Sequence, residues 1–208
     1  MDGNIVNNPP KIIGITGGIS SGKSTVARMM ASMGAEHIDA DEMCHTLFLK
    51  DEIKKKILET FGLKVRDDSG EINRKELAEI VFRNKSGLDN LCSILHPIVI
   101  KQIHAKIDDI EHRGRRHAIV IDAALLEESG LSVICDYIVF VNTGKEQRIK
   151  RSHISRHWKE GDLERREAFQ MDLEEKKNNA DYIIDNNFSV DNTFLQVKKF
   201  WQHYIENM

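Results

Sequence analysis

The sequence predicts a three-layer α/β/α domain built on a parallel sheet, and three observations carry that prediction. First, continuous apolar runs such as Ala118-Ile119-Val120-Ile121 and Tyr137-Ile138-Val139-Phe140-Val141 suit strands covered by helices on both faces. Second, these runs alternate with segments of helical periodicity, which selects parallel strands joined by helical crossovers. Third, the first apolar run stops at a glycine-rich junction that opens directly into a helix.

In chain order, Ile12, Ile13 and Ile15 form the first buried strand, ended by Thr16-Gly17-Gly18. Lys23 to Met33 reads as a helix with Val26, Met29, Met30 and Met33 on one face. A short strand follows at His37-Ile38 and ends at Asp39-Ala40-Asp41. Residues 41–110 read as mainly helical. Asn73-Arg74-Lys75-Glu76 is a capping box for a helix through Phe82, and a separate helix is expected to start near Pro97. The polar segment Lys64 to Glu71 is a turn. After the strand at 118–122 and the one at 137–141, Thr143-Gly144-Lys145-Glu146 is expected to cap a helix carrying Arg148 and Arg151. Tyr182 to Asp185 is a last strand and Val190 to Ile205 a closing helix.

The chain has 208 residues, 40% hydrophobic and 30% charged, enough for one domain with a core that needs no disulfides. Its net charge of −3 argues against a dedicated nucleic-acid binder. The run His112-Arg113-Gly114-Arg115-Arg116-His117 lacks interleaved aromatics and reads as a solvated connection. The three cysteines, Cys44, Cys92 and Cys135, form no C-x-x-C pair and are expected to be reduced, mostly buried thiols. Residues 1–10 are polar, end in Pro9-Pro10 and lack the pattern of a signal peptide. With no run long enough to span a membrane, the expectation is a cytoplasmic protein with a loose N-terminal tail at 1–10, one domain over 11–208, and no membrane or obligate protein partner.

The chemistry begins at Gly17-Gly18-Ile19-Ser20-Ser21-Gly22-Lys23-Ser24, which fits G-x-x-x-x-G-K-[ST]. Glycines let the backbone fold so that successive N–H groups point at phosphate oxygens, and the helix that follows adds the positive end of its dipole. Ser20, Ser21, Gly22, Lys23, Ser24 and Thr25 are therefore expected to cradle the phosphates of ATP, with Lys23 on the β- and γ-phosphates and the Ser24 hydroxyl on Mg²⁺. The predicted fold is thus a P-loop nucleotide-binding domain. Asp122, ending an apolar strand, is either a second Mg²⁺-shell group or a loop carboxylate bonded to nearby backbone. Arg148 and Arg151 lie three apart on one helical face. They either stabilise a transferring phosphoryl group or belong to a solvated basic face with Lys145 and Lys150. Asp41 on its own reads as the N-cap of the next helix. No N-K-x-D segment follows Val141, which speaks against a regulatory GTPase. A kinase acting on a nucleoside or nucleotide and a non-catalytic nucleotide switch stay open on these residues alone.

Four segments resemble the dephospho-CoA kinase family, in the family's order. Thr16 to Thr25 is similar to its T-G-G-I-G-S-G-K-[ST] loop, Asp39-Ala40-Asp41 to its D-A-D, Leu95-His96-Pro97 to its L-H-P, and Ala180 to Asn186 to its A-D-x-[VI]-I-x-N. Asp122-Ala123-Ala124-Leu125-Leu126-Glu127 is also similar to D-x-P-L-L-x-E. The chain departs from the pattern at Ser20, where the family has glycine, at Ala124, where it has proline, and at Ser155-Arg156-His157 in the lid. The resemblance implies transfer of the γ-phosphate of ATP to the ribose 3′-hydroxyl of dephospho-CoA, giving CoA and ADP in the last step of CoA synthesis. It implies Asp41 as general base, Asp39 and His96 on the acceptor, and Arg151 as the stronger of the two arginines. It further implies a helical acceptor subdomain at about 41–111 and a lid at about 152–170. His96 remains equally readable as a structural histidine. Asn186 is expected either to touch adenine or to form an Asx-turn with Asn187.

Overall fold

A computed structural model of the chain describes residues 9–83, 85–114 and 118–206. Most of the expected N-terminal tail, and Arg115-Arg116-His117 of the basic run, lie outside the described residues. Five parallel strands, β1 (Lys11–Thr16), β2 (Glu36–Asp39), β3 (Ala118–Asp122), β4 (Tyr137–Asn142) and β5 (Tyr182–Asp185), form one sheet in the order β2-β3-β1-β4-β5. β1 is central, so Ile13 and Ile15 are fully buried, each contributing about 2 kcal/mol. Gly14 leaves no room for a side chain, because a Cβ there would lie 2.7 Å from Cys135 Sγ and from Leu126 Cδ2.

One face of the sheet packs on α1 (Lys23–Ser32) and α9 (Val190–Trp201) through Val26, Met30, Val197 and Phe200. The other packs on α2 (Ala40–Leu47), which shares a second apolar cluster with α3 (Asp51–Phe61), α4 (Arg74–Val81) and α5 (Lys85–Arg113). α6 (Lys145–Arg156), α7 (Asp162–Glu167) and α8 (Leu173–Asn178) link β4 to β5. Among the described residues no helix is long and apolar enough to cross a membrane.

Asn73 caps α4, its side chain accepting from Glu76 N–H at 3.2 Å, but the other half of the capping box does not form, because the Asn73 N–H donates to Val65 O at 2.8 Å instead. Two further expectations are corrected. Pro97 starts no helix but sits inside α5. The carbonyl it orphans belongs to Ser93, and both residues are exposed, so water can satisfy that carbonyl. Thr143 does not cap α6: its Oγ1 donates to Ser21 O at 2.8 Å instead. The three cysteines are free and mostly buried, as expected. Burial pushes the Cys44 and Cys135 thiols up to about 12 and the Cys92 thiol up to about 11.

The register sets the site. Asp39 lies directly opposite Asp122, and Asp122 opposite Ile15, so both carboxylates and the glycine-rich loop meet at the carboxyl edge of the sheet. This is where ligands bind in open α/β folds.

Candidate active site

The loop from Gly17 to Gly22 owes its path to backbone conformations that favour glycine. Gly17 has φ 141° and Gly22 φ 97°. A Cβ on Gly22 would stand 2.3 Å from Asn186 Nδ2, and one on Gly17 2.7 Å from Val141 O. Ser20 also takes a left-handed conformation, φ 60°, at the position where a glycine was expected from the family pattern. Its hydroxyl is buried without a hydrogen-bond partner. Both features cost energy, so Ser20→Gly is expected to stabilise the protein by roughly 1 kcal/mol, less what glycine loses through unfolded-chain entropy. A thermal melt checks this; a lower melting temperature would contradict it.

The Ser21 carbonyl anchors the loop from the far side. It accepts from Thr143 Oγ1 at 2.8 Å, Asn186 Nδ2 at 2.7 Å and Arg151 Nη1 at 3.1 Å. Asn186 is buried, its Oδ1 accepting from Thr193 Oγ1 at 2.8 Å, so its side chain braces the loop rather than lining the cleft. The Asx-turn belongs to Asp185, whose carboxylate accepts from Asn187 N–H at 3.0 Å.

Lys23 is buried, and its ammonium donates to Gly17 O at 3.1 Å and Gly18 O at 3.0 Å. Burial lowers its pKa, with Asp41 and Asp122 opposing the shift. Asp122, with a side chain 4% exposed, shows the converse. Burial raises its pKa, while a hydrogen bond from Ser24 and the charge of Lys23 pull it down. Its Oδ1 has no hydrogen-bond partner.

In front of the loop opens a cleft of about 1460 Å³, roomier than a typical pocket for one drug-sized ligand. Its walls bring together Ser20, Gly22 to Thr25, Asp41 and Arg151. α2, α4 and α5 add an apolar flank that includes Phe48, Leu77 and Leu91. Eight cationic side chains face four carboxylates across it, in a chain whose net charge is −3. That local excess focuses a positive potential suited to polyanions. Asp41 is exposed to the cleft because the N-cap of α2 is Asp39, whose Oδ1 accepts from Glu42 N–H at 2.9 Å.

Arg148 and His96 lie off the cleft wall. Arg148 is buried behind Gly18, ion-paired with Glu167 and donating from Nε to Thr143 O at 3.0 Å. Glu167 in turn accepts from Ile19 N–H at 3.0 Å. His96 is half-buried on α5, and burial lowers its pKa. The sequence reading missed Arg166 and Trp158, although a tryptophan in a polar, arginine-rich segment is a visible signal. The Arg166 guanidinium lies 4.2 Å from the Trp158 ring centroid and 5.1 Å from that of Phe82. Also missed was Lys176, fully buried, which donates to Ala124 O at 3.0 Å and pairs with Glu128 at 2.9 Å. That lysine holds the turn in which alanine replaces proline.

The family model described as Dephospho-CoA kinase (CoaE) matches residues 11–192. A dephospho-CoA kinase of Fusobacterium nucleatum is 38% identical over 193 residues, covering 91% of this chain and 96% of the relative. Among solved structures, TT1252 from Thermus thermophilus matches with a TM-score of 0.77 at 26% identity, covering 94% of this chain and 98% of that one. Dephospho-CoA kinase from Campylobacter jejuni matches with a TM-score of 0.67 at 29% identity, covering 95% and 98%. By sequence and by fold, the chain belongs to the dephospho-CoA kinase family.

Proposed function

We propose that this chain transfers the γ-phosphate of ATP to the ribose 3′-hydroxyl of dephospho-CoA, giving ADP and CoA. The observation that carries the reading is the convergence of Lys23, Ser24, Asp41 and Arg151 on one cationic cleft large enough for two ligands. Phosphoryl transfer asks mainly for positioning and charge neutralisation, and these side chains supply both. Backbone N–H groups from Ser20 to Thr25 receive the phosphates, and the Lys23 ammonium exchanges its carbonyl partners for β- and γ-phosphate oxygens. Asp41, freed from capping, accepts the proton of the 3′-hydroxyl. Arg151 steadies the loop through Ser21 O and places a guanidinium at the cleft wall. Asp39 remains an acceptor-side candidate in this reading, His96 is read as a structural histidine of α5, and Asn186 supports the nucleotide through the loop. The helices of 41–111 serve as the acceptor subdomain and residues 152–170 as the lid, whose closure would exclude water from the reacting phosphate.

Ser24 and Asp122 fit a hard, oxygen-seeking cation, because they offer a hydroxyl and a buried carboxylate oxygen that lacks a partner. They would hold Mg²⁺, which when bound neutralises charge on the phosphates. Three free thiols suit a reducing compartment, and the reading places the chain in the cytoplasm, with no nucleic acid, membrane or obligate protein partner.

Coupled ADP release over a panel of acceptors tests the assignment. Dephospho-CoA should support turnover and nucleoside monophosphates should not; the reverse pattern would overturn it. Asp41→Asn should lower kcat by about 10²-fold while ATP binding persists, and a near-normal kcat would remove Asp41 as the base. The two arginines should separate by kind of effect. Arg151→Ala should cost about 10²-fold in kcat. Arg148→Ala strands the Glu167 carboxylate and should lose about 3 kcal/mol of stability, with a smaller effect on rate. Equal, modest losses of rate and no change in melting would contradict both assignments.

A further inference from the structure

We propose that His37, Asp39 and Asp122 form a binding site for a first-row divalent transition cation, of the Mn²⁺ or Co²⁺ kind, at the carboxyl edge of β2 and β3. Strand periodicity puts His37 and Asp39 on one side of β2, and the register sets Asp39 opposite Asp122. One ligand atom from each residue lies within 4.8 Å of the others. Two facing carboxylates repel each other, and no hydrogen bond links them to the imidazole. His37 Nε2 stands 3.9 Å from Asp122 Oδ2, beyond hydrogen-bonding range.

Two atoms of this cluster are orphaned. His37 Nε2 and Asp122 Oδ1 are both buried with no hydrogen-bond partner. Lys23 is the nearby cation, but it spends two hydrogen bonds on the Gly17 and Gly18 carbonyls. Asp39 caps α2 with Oδ1, which leaves Oδ2 for a ligand. A cation would satisfy the imidazole and both carboxylates at once.

The donor set names the class of ion. Mg²⁺ takes oxygen ligands and keeps its waters, so the imidazole gives it nothing, whereas a nitrogen donor with two carboxylates suits Mn²⁺, Co²⁺ or Zn²⁺. Three protein ligands leave open positions for water or a ligand oxygen. Asp122 is shared with the Mg²⁺ shell proposed above, so the inference rests on that reading only where both ions are present. A test without nucleotide keeps the two apart.

The full-length, nucleotide-free protein is titrated with Co²⁺, followed by visible absorption and by calorimetry. One saturable site with imidazole-type absorption is expected in the absence of Mg²⁺. The chain has nine histidines, so His37→Val and Asp39→Asn separate this site from surface binding. Each variant that melts cooperatively should bind Co²⁺ at least about tenfold more weakly. Absence of saturable binding by the parent protein, or parental affinity in both variants, would overturn the proposal. Failure here together with normal turnover on dephospho-CoA would leave the kinase reading standing.

Discussion

Replacing Lys23 with alanine is expected to lower kcat by about 10³-fold or more while leaving the protein folded. The two halves of that expectation have separate causes. The loss of rate follows from removing the one ammonium that lies within the loop and beside Asp41 and Asp122. The small effect on stability follows from burial, which lowers the pKa of Lys23 and so opposes folding of the charged form. With its folded pKa below 10.5, the unfolded chain binds more protons in the window beneath that value, and stability rises with pH there. The alanine variant should lose this rise. A kcat within tenfold of the parent, or a collapse of the melting transition, would contradict the assignment.

Asp122→Asn is expected to cost at least about 10²-fold in kcat, yet to raise the melting temperature of the metal-free protein at neutral pH. Burial raises the folded pKa of Asp122 above 3.8, so the native state binds the extra proton. The associated stabilisation is present at low pH and is lost as pH rises through the folded pKa, so the ionised carboxylate is a net cost at neutrality. An amide keeps the Ser24 hydrogen bond, removes the charge and lifts that cost. In a chain of this size each kcal/mol recovered is worth about 2–4 °C. A metal-free melting temperature below that of the parent would contradict this account of the charge.

These two residues show what a sequence makes legible. Lys23, Ser24 and the glycines sit in one contiguous segment whose spacing reports the fold of the loop directly, and Asp122 is marked by the apolar run it ends. Strand and helix order was readable for the same local reason. Other features depend on contacts between distant segments. Pro97 sits inside α5 at a place where it and Ser93 are both exposed, a matter of burial that spacing does not report. Thr143 looked like a cap and became a tether to Ser21, 122 residues away in sequence. Arg148 and Arg151 share a helical face, yet only tertiary packing turns one toward Glu167 and the other toward the cleft. Lys176 lies in a polar helix and gave no sign that it would be among the most buried side chains.

The central claim is a specific transfer, and the position of the transferred phosphate tests it most directly. Protein, Mg²⁺, dephospho-CoA and γ-labelled ATP are combined, and the labelled product is isolated and mapped by phosphorus NMR. The account predicts one new phosphomonoester on the ribose 3′-oxygen, formed in step with ADP. Label recovered as inorganic phosphate, or on any other hydroxyl, would contradict it.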